Sequence, residues 1–265
     1  MKVITKISLQ QKLTDRYNVF VNEQYAFSVD ESVLIQFGLK KGMELTDEQI
    51  AVITRQDAMR KGLNMAIHFL SMRMRSEKEV RDFLAKKEVE SEAVEEIIHN
   101  LYRMSYLNNA EFAKAYTNTQ INTSDKGPKV IERELKEKGI DDSLIEKALA
   151  KFETDLQLEK SCKLAEKYRQ KYRKESPVIQ KQKIEQTLMR KGYDWGIIQE
   201  AIAGSEKEES EEENWQALMY QAEKAHRRYN KFSGGEYRQK MKQTLYRKGF
   251  SISDIEQAIE KLQEE

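Results

Sequence analysis

Apolar residues return every third or fourth position along most of this chain, the period of an amphipathic helix, but the first 45 residues follow a different rhythm. There, Val-Ile-Thr-Lys-Ile-Ser-Leu at 3–9, Tyr-Asn-Val-Phe-Val at 17–21 and Tyr-Ala-Phe-Ser-Val at 25–29 are short β-branched and aromatic runs that predict three strands. Asn22-Glu23-Gln24 joins the second and third as a hairpin. Val33, Leu34 and Phe37 then predict a helix that covers one sheet face and ends at Gly38. Thr46-Asp-Glu-Gln resembles a capping box, and no strand is expected beyond it.

The helical remainder repeats itself. Leu84–Val94, Leu135–Ile145, Leu188–Ile198 and Leu245–Ile255 align without a gap, at offsets of 51, 53 and 57 residues. Val80, Ile131, Ile184 and Met241 stand four positions before each leading leucine, and Ile98, Leu149, Ile202 and Ile259 follow each segment. The last two copies extend further, since Ala165-Glu166-Lys167 and Tyr172 recur as Ala222-Glu223-Lys224 and Tyr229. Each unit reads as a helix-turn-helix preceded by one more helix. Cations occupy the last turn before the break (Lys138; Arg190 and Lys191; Arg247 and Lys248), where they answer the negative end of the helix dipole. Gly139, Gly192 and Gly249 stop that helix in the left-handed conformation, and Asp141, Asp194 and Ser251 cap the next. Ser76-x-x-Glu79 forms a capping box, while Pro128 and Pro177 stand at first helical positions. Glu88 replaces the glycine in the first unit, at a cost of about 1 kcal/mol if it is left-handed.

The expected fold is therefore mainly α: tandem three-helix, helix-turn-helix-like repeats in an elongated array, behind a small β-rich N-terminal domain. That domain is assigned to residues 1–55 and the repeats to 56–105, 106–155, 156–203 and 215–265. Residues 204–214 carry six acidic residues against one lysine and read as a solvated linker.

Chemistry is sparse. The three histidines are far apart in sequence and Cys162 is the only cysteine, so neither zinc spacing nor an internal disulfide is expected. His99, four residues after Glu95, reads as half of an ordinary helical surface pair. Gly38-Leu-Lys-Lys-Gly42 and Gly234-Gly235 lack the P-loop spacing, and no Gly-x-Ser-x-Gly elbow occurs. No enzyme, cofactor or metal is expected. Without a secretory or membrane-spanning segment, the chain is expected to be cytoplasmic, and an exposed array need not self-associate beyond a monomer.

Surfaces remain. The net charge is +1, so any nucleic-acid contact must come from local patches. Residues 156–191 hold 11 basic residues against 4 acidic, interleaved with Tyr168 and Tyr172. That stripe is either a charged solvent face with tyrosines packed beneath it or a surface for an acidic partner. A second cluster lies on the first unit. From the two, Arg73, Arg75, Lys86, Lys87, Lys167, Arg169, Arg173 and Lys174 are the candidate partner-binding or nucleic-acid-binding residues.

Two ordered motifs carry a resemblance. Tyr106-Leu-Asn-Asn-Ala-Glu-Phe112-Ala-Lys-Ala-Tyr116 with Lys126-Gly-Pro-x-x-Ile131-x-x-Glu134-Leu135-x-x-Lys138-Gly139-Ile140 resembles the central signature of the RecX family, and Ser76-x-x-Glu79-Val-Arg81-x-Phe-Leu84 resembles its first repeat. The likeness covers about residues 60–203, and the extra head and fourth unit are similar to the longer Gram-positive members. It implies binding to the RecA recombinase and its DNA filament, modulation and usually inhibition of ATPase and strand exchange, and a role in repair, recombination and the SOS response. A helix-turn-helix protein reading duplex DNA would need base-reading side chains where Asp141-Asp142-Ser143 and Ser251-Ile252-Ser253 stand. A passive helical scaffold is the other alternative.

Overall fold

In the computed structural model, which describes residues 2–11, 15–205, 211–232 and 234–264, four antiparallel strands form the head. They are β1 (Lys2–Leu9), β2 (Arg16–Val21), β3 (Gln24–Asp30) and β4 (Glu44–Leu45), in the order β3-β2-β1-β4. Asn22 and Glu23 make the expected hairpin turn with both φ angles positive, at 49° and 66°. β4 is an addition to the sequence reading, because a two-residue strand is too short to show any period. Helix α1 (Glu31–Gln36) sends Val33 into the core with Ile4, Val19, Phe27 and Val29, and Gly38 follows in the left-handed conformation.

Thirteen helices follow one another among the described residues, four sets of three after α1. The first set is α2 (Asp47–Met72), α3 (Glu77–Lys86) and α4 (Ser91–Arg103). One helix, α2, serves two cores: Ile53 belongs to the head, while Leu63 and Ala66 pack with Val80, Leu84, Ile97 and Leu101. Next come α5 (Asn109–Thr123), α6 (Pro128–Glu137) and α7 (Asp142–Leu149), then α8 (Thr154–Lys171), α9 (Pro177–Lys191) and α10 (Trp195–Ser205). The last set is α11 (Glu211–Tyr229), α12 (Gly234–Tyr246) and α13 (Ile252–Glu264), with Leu218, Met241, Leu245, Phe250 and Ile255 at its centre. Of the acidic stretch 204–214, residues 206–210 lie outside the described residues, and those on either side are helical. The chain divides into two compact units, residues 1–113 with 136–144 and residues 114–135 with 145–265.

The repeated glycines do more than end helices. Each lies against the start of the middle helix of the preceding set. In the second compact unit, the last carbonyls of α9 receive the first N–H groups of the α6 region: Gly127 N donates to Lys191 O at 2.6 Å and Lys129 N to Gly192 O at 3.1 Å. These are groups that a helix end otherwise leaves without partners, and the two dipoles run head to tail. A Cβ on Gly192 would stand 2.6 Å from Val130 N, and one on Gly127 would stand 2.6 Å from Gly192 C. The Ser176 hydroxyl caps α9 and donates to Lys248 O, beside Gly249. In the first compact unit, Lys78 Nζ donates to Glu137 O at 2.8 Å, and a Cβ on Gly139 would meet Lys78 Cβ at 2.9 Å.

That joint accounts for the exception at Glu88. It is left-handed, with φ 59°, and exposed. The first set has no preceding repeat whose middle helix would approach its turn, so a side chain fits there.

Glu79 holds the joint of the first compact unit together. Its carboxylate accepts from Ser76 N at 3.0 Å, Arg73 Nη2 at 3.1 Å and Lys138 Nζ at 3.2 Å. Burial alone would raise its pKa, but these donors outweigh burial and hold it below the ordinary value. A lowered folded pKa stabilises the fold above the unfolded value and ceases to do so as pH falls through the folded one. The unfolding midpoint of the first compact unit should therefore drop as pH falls below about 4.3, and Glu79→Gln should flatten that dependence in a urea series. A dependence that Glu79→Gln leaves unchanged would refute the assignment.

Candidate protein and nucleic-acid interface

The eight candidate residues fall into two groups. On the first set, Phe69 from α2 and Phe83 from α3 stack with ring centroids 4.2 Å apart and planes 3° from parallel. The Arg75 guanidinium lies 4.1 Å from the Phe69 centroid and the Lys87 ammonium 6.0 Å from that of Phe83. Such contacts hold a cation without neutralising it. Lys86 is exposed. Arg73 differs: its guanidinium is paired with Glu79, so it serves the joint.

On the third set, Lys167 faces Asp125 at 3.7 Å, close to Lys191, which lies 3.9 Å from the same carboxylate. Tyr168 and Tyr172 stack at 6.0 Å, half-buried, with Lys171 near both rings. Tyrosines packed beneath a charged face describe this part well. Arg169, Arg173 and Lys174 are brought together at the end of α8, where they line a cleft of about 520 Å3 with Asn214 and Tyr220 of α11. Sequence reasoning missed those last two, because α11 belongs to the next repeat and nothing in the spacing pairs it with α8.

One further expectation changes. Glu95 is taken by Arg81, at 2.6 and 3.0 Å, rather than by His99, because a guanidinium offers a bidentate fork that imidazole cannot. Its carboxyl is held below the ordinary value by that bond. The expected cap at Ser251 is present, its hydroxyl accepting from Asp254 N at 3.1 Å. Burial pushes the Cys162 thiol up, which keeps it protonated and unreactive near neutral pH.

These features define a class: tandem three-helix repeats that present uncancelled cations and aromatic rings. Among the described residues no group of His, Cys, Asp or Glu could hold a metal ion, and no helix is long and apolar enough to cross a membrane. Family models agree in order along the chain: the regulatory protein RecX N-terminal domain over residues 2–46, the first RecX three-helix domain over 63–101 and the second over 108–149. The third three-helix domain matches twice, over 155–202 and 211–259, so the last two sets are copies of one module. The regulatory protein RecX of Bacillus velezensis is 46% identical over 260 residues, covering 98% of this chain and 99% of that one. The Bacillus subtilis protein is 46% identical over 260 residues, covering 98% of both. A crystal structure of regulatory protein RecX matches with a TM-score of 0.70 at 37% identity, over 77% of this chain and all of that one. That of RecX from Lactobacillus salivarius gives 0.55 at 39%, over 57% and 97%. The chain belongs to the RecX family of regulatory proteins.

Proposed function

We propose that this chain binds the RecA recombinase and its DNA filament and lowers its ATPase and strand-exchange activity, performing no chemistry of its own. The full-length match to regulatory RecX proteins carries the reading. The repeats support it physically, since several modest contacts on one chain raise each other's effective concentration against a partner built from repeated protomers. The exposed cations Lys86, Lys87, Lys167, Arg173 and Lys174 are the proposed contacts, and their attraction weakens as salt screens it.

An ATPase titration of recombinase on single-stranded DNA tests this. Added chain should lower turnover in a saturable way. Lys167→Glu, Arg173→Glu and Lys174→Glu together should raise the half-effective concentration about tenfold at low salt, and less at high salt. Turnover that stays constant across the titration would reject the function. An unshifted curve for the triple variant would reject the proposed surface.

A further inference from the structure

The cleft between α8 and α11 holds more unanswered chemistry than a helix end requires. Cations after α8 could simply answer its dipole, but carbonyls there already have partners: Gln180 Nε2 donates to Arg169 O at 3.3 Å and Gln221 Nε2 to Lys174 O at 2.6 Å. Arg169, Arg173 and Lys174 have no carboxylate partner among the described residues, and Lys174 rests instead 4.1 Å from the Tyr220 ring centroid. Glu175 and Glu213 share the cleft, and Lys183 neutralises Glu175. The lining contains an orphan of each kind. Among the described residues Arg169 Nε is a buried donor with no acceptor, and Asn214 Oδ1 a buried acceptor with no donor. Both atoms are covered by protein, so a ligand meets them as the two side chains turn into the cleft, and the partners it supplies favour that turn.

We infer that this cleft is a nucleotide site. Arg169, Arg173 and Lys174 take a phosphate, and Tyr220 and Asn214 take the attached base or sugar. Phosphate oxygens accept from the guanidinium fork, a base N–H such as thymine N3–H donates to Asn214 Oδ1, and the half-exposed Tyr220 ring offers an edge or face to a base. An acidic peptide segment would satisfy the cations but has no use for the aromatic surface. The volume of about 520 Å3 suits one nucleotide, either free or within a single strand. The site shares Arg173 and Lys174 with the surface proposed for the recombinase filament, but its test requires no recombinase, so the two readings fail separately.

The test uses the full chain alone. Fluorescence anisotropy with a labelled oligothymidylate of about 12 nucleotides should show salt-dependent binding. Arg173→Gln with Lys174→Gln, both at exposed positions, should weaken it about tenfold and flatten the log-log salt slope by about 0.7 for each phosphate that is no longer neutralised. Lys147→Gln with Lys151→Gln, equal in charge but elsewhere, should change it little. Asn214→Leu, which removes the acceptor offered to the base, should weaken it as well. Competition by thymidine monophosphate at concentrations matched per nucleotide would assign the site to free nucleotides, and its failure to compete would assign it to a strand. Equal losses in the two double variants would overturn the proposal, as would absence of binding to oligonucleotide and monophosphate alike. So would polyglutamate binding that Arg173→Gln with Lys174→Gln abolishes while oligonucleotide binding persists.

Discussion

Gly192→Ala should destabilise the second compact unit by about 2–4 kcal/mol, far more than the same change at Gly234. Both residues have positive φ, 88° and 56°, so alanine at either position carries a backbone cost of about 1 kcal/mol. The difference lies in space. A Cβ at Gly234 meets nothing within 4 Å, whereas one at Gly192 would press on Val130 N at 2.6 Å and Val130 Cγ2 at 2.8 Å. Backbone cannot rotate away as a side chain can, and forced overpacking adds about 1–3 kcal/mol. The hydrogen bond from Lys129 N to Gly192 O would be stretched as the two helix ends part. Gly139→Ala should fall between the two, because its obstacle is the Lys78 side chain, with Cβ at 2.9 Å and Cδ at 3.2 Å, rather than backbone. Urea unfolding followed by circular dichroism measures all three, and equal losses at Gly192 and Gly234 would show that the joint is looser than its geometry.

The same glycines show where sequence reasoning reaches and where it stops. Four aligned leucines, each with an apolar residue four before it, fix the middle helices, since an i, i+4 face is the imprint of a buried stripe. Leu84, Leu135, Leu188 and Leu245 are all fully buried. A glycine at the break is legible as a left-handed stop, yet its second role depends on a backbone approach to the preceding repeat, about one repeat back in the chain. Glu88 was the available signal. A position that tolerates glutamate in one copy and holds glycine in three others demands space as well as conformation.

The candidate surface divides in the same way. Charge density along α8 marks Arg169, Arg173 and Lys174, because local composition is visible in one dimension. Asn214 and Tyr220 reach them only through the packing of a later helix. Arg73 carries the same charge as Lys86 but sits beside Glu79, so composition could not separate a joint residue from an exposed one.

Asp57→Ala should cost about 3–5 kcal/mol and uncouple the sheet from α2, while leaving the last two sets of helices folded. Asp57 stands four residues after Ile53, where the helical period calls for another apolar side chain. It is 7% exposed, and its carboxylate accepts from Arg16 Nη2 at 2.6 Å and from Asp30 N at 2.6 Å. Asp30, also buried, accepts from Ser32 and Asn64 and lies 3.6 Å from Arg60 Nε, so three positions on one face of α2 hold the end of β3. Removing one partner from a buried pair strands the other charge, which is the source of the large penalty. Asp57→Asn keeps an acceptor for Asp30 N and should lose less. If Arg16→Met with Asp57→Leu restores most of the loss, the network selects an arrangement rather than supplying net stability. A loss below about 1 kcal/mol for Asp57→Ala would mean that Ile53 and the apolar residues around it hold the head to α2 unaided.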